Sequence, residues 1–137
     1  MKNLVVLGLV LWSGLARAQH AHSVEEGLKF RAVLQQSLSD SLKNYALESS
    51  TLEVAPGFRD TRPHRHDADL FGYVLQGEVL VGLEGKEGKR YKAGEMFFEP
   101  RMVLHSLLEN PHKTEPARIL LVFVIGQGKQ HFIPESK

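Results

Sequence analysis

The 137-residue chain has no cysteine. Disulfides, thiolate metal ligands and a cysteine nucleophile are therefore excluded. The absence leaves the compartment open, since a chain without thiols is safe in oxidising and reducing surroundings alike. An excess of one charge is also missing. Lys and Arg number 17 against 16 Asp and Glu, which gives no electrostatic ground for binding nucleic acid or an anionic membrane surface. There is no glycine-rich phosphate loop between a strand and a helix, and no G-x-S-x-G elbow. A serine triad has no local signature either. No apolar run is long enough to span a bilayer. The length suits one domain rather than two.

What is present begins at the N-terminus. Lys2 supplies a positive start, Leu4 to Trp12 is an apolar stretch, and Ala16-Arg17-Ala18 is an A-x-A cleavage signature. Read alone, the apolar stretch would fit a buried N-terminal helix. The three-part order is that of a secretory signal. We expect residues 1–18 to be a signal peptide, the chain to be exported to the periplasm or beyond, and the mature form to have no membrane partner. The new terminus, Gln19-His20-Ala21-His22, reads as a loose polar tail with at most weak copper or nickel affinity.

Further on, short apolar stretches alternate with turn signals. Ala46 to Val54 reads as a strand closed by Ala55-Pro56-Gly57, and Phe58 to Pro63 as a loop. Leu70 to Leu75 and Glu78 to Leu83 form a hairpin about Gln76-Gly77. Lys89 to Lys92 is a short charged strand suited to a sheet edge. Met96-Phe97-Phe98, Val103 to Leu108 and the uninterrupted Ile119 to Ile125 follow, the last reading as central. Strands at spacings of roughly 8–12 residues imply an all-β sandwich or barrel. Ser23 to Ser50 stays open. Val24, Leu28, Leu34, Leu38, Leu42 and Tyr45 fall near a helical period, whereas Phe30-Arg31-Ala32-Val33-Leu34 reads as a strand.

Histidines carry the chemistry. His64 and His66 are one residue apart, and on an extended strand such side chains share a face, so both imidazoles can reach one point. His105 lies on a later stretch, Gly94 to His105. A His-x-His pair with a distant third histidine makes a three-ligand metal set. The order Gly57, His64, His66, Gly77, then Gly94, Pro100, His105 and Asn110, resembles the two motifs of the cupins. The wording His-Arg-His-Asp-Ala, Phe-x-Tyr-Val-Leu-x-Gly and Thr-Glu-Pro-Ala-Arg is similar to small, often exported, single-domain bacterial cupins, a group with no single established reaction. The departures are specific. One extra residue separates Gly57 from His64, Leu70 stands where the cupin metal-binding Glu is expected, Met102 replaces a glycine, and Asn110 comes one place late.

The resemblance implies a double-stranded β-helix, the cupin jelly roll, over residues 30–137, with residues 19–29 as a short N-terminal segment. It favours a short helix or coil at Ser23 to Gly27, a strand near Phe30 to Gln36, and a polar loop to Asn44. It also implies a homodimer in which the first strand crosses to a partner, and a metal site in the barrel mouth formed by His64, His66 and His105.

Neutral imidazoles ligate Fe, Mn, Ni, Zn or Cu, and three protein ligands leave positions for substrate, water or dioxygen. Leu70 can neither ligate nor hydrogen-bond, so the expected set is neutral. Neutral three-histidine Fe(II) sites belong, by the resemblance, to cupin dioxygenases acting on thiols and diketones. Fe(II) and dioxygenase-like oxidation of a small organic molecule are therefore the first expectation. A non-enzymatic metal- or ligand-binding or sensing protein is the alternative, favoured by the missing glutamate. Asp69 has the opposite parity to Leu70, so a regular strand turns it away, while an irregular loop would bring it to the metal. Glu99 reads as an exposed turn acid, or else as a partner orienting a histidine. Tyr73, Met96, Phe97 and Phe98 read as packing or as pocket wall. Met102 is expected to narrow the approach to His105. His112 and His131 receive no role.

Overall fold

The strict alternation in the last long apolar run shows how the chain folds. Ala117, Ile119, Leu121, Phe123 and Ile125 are buried, while the residues between them face outward. That period of two is a strand packed on one face. The structure, a computed structural model, describes residues 27–38 and 40–135. The expected signal peptide, the Gln19–His22 tail and most of the 19–29 segment lie outside the described residues.

In chain order the strands are β1 (Leu28–Ser37), β2 (Tyr45–Val54), β3 (Arg59–Asp60), β4 (His64–Arg65), β5 (Ala68–Gln76), β6 (Glu78–Leu83), β7 (Lys89–Lys92), β8 (Met96–Glu99), β9 (His105–Glu109), β10 (Ala117–Gly126) and β11 (Ile133–Pro134). A single 3-10 turn, Asp40–Leu42, is the helical element among the described residues. One sheet runs β1-β2-β10-β5-β8 and the other β11-β4-β9-β6-β7, with β3 also on β9. All pairings are antiparallel. The two sheets face each other as the double-stranded β-helix that the motifs imply. Leu52, Val54, Val74, Val79, Val81 and Ile119 fill the space between them.

β10 lies in mid-sheet between β2 and β5, and β7 ends its sheet, as the apolar and charged runs foretold. The ambiguous first stretch is a strand. β1 pairs with β2 of its own chain from Leu28↔Val54 to Ser37↔Ala46, with a bulge between Ala32 and Leu34. Its near-helical spacing never becomes a buried face, because β1 is an edge strand with Val33 and Leu34 exposed. The hairpin turns at Gly77, whose φ of 74° suits glycine. Gly72 lets the Phe97 ring lie against the backbone, since a Cβ there would sit 2.0 Å from it.

Candidate metal centre

Strand pairing, rather than one long strand, assembles the site. β4 is only His64–Arg65, and its pairing with β9 sets His64 directly opposite His105. Their rings stack with centroids 4.7 Å apart and planes inclined by 23°. His66 follows just beyond β4, its ring 4.9 Å from His64 and 6.1 Å from His105, nearly perpendicular to both. One nitrogen from each of the three falls within 4.8 Å of the others. The three predicted ligands are thus brought together.

Each ring has its other edge tied down. His64 Nδ1 donates to the Arg62 carbonyl at 3.0 Å, and His66 Nδ1 donates to the His131 carbonyl. His105 Nδ1 faces both oxygens of Glu99 at 3.0 Å. Carbonyl and carboxylate oxygens accept, so the facing nitrogen carries the proton and Nε2 keeps its lone pair for a metal. Burial lowers the pKa of His64 to about 4 and also lowers that of His66. Both rings are therefore neutral at pH 7, the form that binds metal.

Glu99 is not an exposed turn acid. It is 1% exposed. Met96 and Phe98 point outward, Phe97 and Glu99 inward, and Glu99 pairs across the sheet with Leu70. Its Oε2 is also 3.6 Å from His66 Nε2. His64, Glu99, His105 and Asn110 are the buried polar residues among those described, and the first three meet at this one place.

Other expectations resolve differently. Asp69 keeps its strand parity and faces away, its Oδ1 accepting the Arg101 amide at 3.0 Å. Met102 does not narrow the approach to His105. It is 40% exposed and outside the cavity wall, because its backbone turns left-handed at φ 62°. Tyr73, Met96 and Phe98 are exposed on the outer face of the first sheet and belong to neither pocket nor core, whereas Phe97 does line the cavity.

That cavity has a volume of about 420 Å³ and opens beside the histidines. Leu52, Leu70, Phe97, Ile119, Leu121 and Phe123 give it an apolar wall. Asp60 and Arg62 lie on its rim, joined by two side-chain hydrogen bonds of 3.0 and 2.8 Å. Burial pushes the Asp60 carboxyl up, but the Arg62 bonds outweigh it and hold the pKa below the usual range. Phe132 stacks on His64 at 4.4 Å. His131 therefore has a part after all, through its main-chain oxygen. A backbone acceptor leaves no mark in a sequence, whereas Glu99 shares the alternation of Phe97 and was detectable.

Three convergent imidazoles, each with Nδ1 tied to an oxygen, beside a buried carboxylate that bonds to no Lys or Arg among the described residues, fit a divalent cation. This group could hold such an ion.

Known proteins place the fold. No curated protein sequence matches the chain. Among solved structures, KdgF from Halomonas sp. is 24% identical, with a TM-score of 0.59 over 77% of this chain and 84% of that one. The polyketide cyclase RemF from Streptomyces resistomycificus is 19% identical, with a TM-score of 0.62 over 82% and 73%. The DMSP lyase DddQ from Ruegeria pomeroyi is 18% identical, with a TM-score of 0.65 over 87% and 58%. At these identities the likeness is one of fold. The sequence pattern of the cupin domain, in contrast, matches residues 50–123, more than half of the chain and all three histidines, and the chain belongs to the cupin family.

Proposed function

We propose that the chain is an exported, metal-dependent cupin that oxidises a small, largely apolar organic molecule, with Fe(II) held by His64, His66 and His105. The observation that carries this reading is the cavity of about 420 Å³ opening directly on three convergent imidazoles. Pockets of this size and apolar lining suit small organic ligands. A ferrous ion would supply dioxygen activation in the coordination positions that the protein leaves free. The chain's own residues hold, orient and shield. Arg62, His131 and Glu99 fix the three rings, and Leu70, Leu121 and Phe123 keep bulk water from the reacting centre.

The test is oxygen uptake by the Fe(II)-loaded protein over a panel of thiols, diketones and other small apolar substrates, beside a folded His105→Ala variant. Uptake that disappears in the variant supports an oxygenase. Equal uptake by both, or none from the wild type, rejects it. The structural neighbours include a DMSP lyase and a polyketide cyclase, so the same panel should be assayed for elimination and ring closure.

A second reading is a non-enzymatic protein that sequesters or senses a metal or small ligand. Leu70 favours it, because an apolar wall stands where the cupin carboxylate ligand is expected. Tight retention without turnover would decide for this reading. The Lys2 to Ala18 pattern supports export, and mass spectrometry of the periplasmic form would find Gln19 as its first residue. Exposed Tyr73, Leu75, Met96 and Phe98 on one sheet face support a homodimer, which sedimentation would show as twice the monomer mass.

A further inference from the structure

We infer that Glu99 is the anion of this metal centre, supplying from β8, through His105, the negative charge that Leu70 cannot supply from β5. The inference rests on the three histidines holding a divalent cation.

Strand register is the first support. Leu70 and Glu99 are direct partners across the antiparallel β5–β8 pair, and both face inward. Directly opposite residues hold their Cβ atoms about 4.5–5.5 Å apart. A carboxylate moved from one member of such a pair to the other still enters the same space. It simply arrives from the neighbouring strand.

Energetics is the second. Glu99 is 1% exposed, at a position whose neighbour in alternation is the core residue Phe97. An apolar side chain there would cost nothing, whereas an ionised carboxylate without a cation costs several kcal/mol. The other acids around the site have basic partners. Asp60 is bound by Arg62, Asp67 by Arg101 and Lys129, and Glu135 by Arg65. Glu99 has only His105 Nδ1 at 3.0 Å and His66 Nε2 at 3.6 Å. A divalent cation among the histidines is the positive charge this carboxylate lacks.

Geometry is the third. Both Glu99 oxygens are equidistant from His105 Nδ1. The imidazole is thereby held with Nε2 outward, and a carboxylate behind a ligating histidine makes the ring a stronger donor. Glu99 is thus a positioning and charge-supplying residue, acting on the metal through His105.

The experiment is Co(II) titration of the full chain, produced without an affinity tag, followed by calorimetry and by visible absorption. Four proteins are compared: wild type, Glu99→Gln, Glu99→Gln with Leu70→Glu, and His64→Ala/His66→Ala. Glutamine can still accept from Nδ1, so Glu99→Gln removes the charge while keeping the shape. Its Co(II) affinity should fall about 10- to 100-fold. The melting temperature of its cation-free form should stay level or rise, since a buried charge has gone. Adding Leu70→Glu should recover most of the affinity.

Affinity within about threefold of wild type in Glu99→Gln overturns the inference. So does a loss of affinity accompanied by a lowered cation-free melting temperature, which would mark Glu99 as merely structural. If the double variant does not fold, Glu99→Gln decides by these two readouts alone. A wild type that binds Co(II) no better than His64→Ala/His66→Ala would remove the metal centre itself, and the role of Glu99 with it.

Discussion

Phe132 lies over His64, with ring centroids 4.4 Å apart and planes inclined by 29°. The contact joins the end of the chain to the centre of the site. Asp67 N donates to the Gln130 carbonyl at 3.1 Å, Glu135 N donates to the Pro63 carbonyl at 3.0 Å, and Arg65 pairs with Glu135. Residues 130–135 therefore form a strap across the His-x-His segment. Phe132 is itself 45% exposed, so it forms part of the outer covering of His64. Phe132→Ala should admit water to His64 and raise its pKa from about 4 toward 6.5. An aromatic pair of this kind contributes about 1 kcal/mol, which should appear as lost stability. NMR titration of the His64 ring protons checks the first effect and urea unfolding the second. An unchanged titration midpoint would show that the strap does not shield the histidine.

The same burial gives the cation-free protein an acid-sensitive fold. The folded pKa of His64 lies at about 4, below its ordinary 6.5, so the unfolded chain takes up the proton first. Stability from the neutral ring is complete above pH 6.5 and declines as pH falls toward 4. It declines no further below that. A shift of this size corresponds to about 3 kcal/mol. His66 is shifted in the same direction by its own burial and adds to the loss. Urea midpoints measured in steps from pH 7.5 to about 4 should fall through this window. The fall should be smaller in His64→Phe. A flat profile for the wild type would refute the argument.

Much of the barrel was legible because its strands obey simple rules. Ile119 to Ile125 is apolar throughout and sits in mid-sheet, and Gln76-Gly77 turns where a hairpin needs a positive φ. The histidines were legible because their spacing is chemical. What escaped was information held between strands. Glu99 looked like a turn acid beside Pro100; its alternation with Phe97 hinted at an inward face, and its pairing with Leu70 sets that face at the site. The His131 carbonyl and the Phe132 ring reach the site through the β4–β11 pairing, which joins segments far apart in sequence. Edge strand β1 was ambiguous because exposed apolar residues such as Val33 and Leu34 impose no period.

Asn110, one place late in the second motif, is a structural pin. It is fully buried, and its Nδ2 reaches the carbonyls of Val54, Ala55 and Glu115 at 3.1, 3.2 and 2.9 Å. Its Oδ1 accepts the His112 amide at 3.0 Å. One side chain thus ties the end of β2 to the loop before β10. Asn110→Ala would strand these groups and leave a void, at a cost of about 2–4 kcal/mol. Asn110→Asp keeps the volume but loses the amide donor, and should be destabilised by a comparable amount. Chemical unfolding of both variants is the check, and a loss below about 0.5 kcal/mol, the level of an ordinary surface change, would contradict the assignment.

Met102 carries strain that the glycine of the cupin motif would avoid. Its φ of 62° places a side chain in the left-handed region, while its amide donates to the His66 carbonyl at 2.8 Å and its carbonyl accepts from Arg65 at 2.7 Å. These two bonds fix the backbone, so the residue cannot relax into the right-handed region without releasing the segment that holds His66. Substitution by alanine and by glycine removes the same side-chain packing in both cases. The two variants then differ mainly in the penalty for a Cβ at positive φ, about 1 kcal/mol or more, partly offset by the greater freedom of glycine in the unfolded chain. Met102→Gly should therefore be more stable than Met102→Ala, the reverse of the usual order for these residues within regular structure. Paired urea unfolding curves measure the difference directly. An alanine variant equal to or more stable than the glycine one would mean that the turn before His105 exerts no such constraint on its backbone.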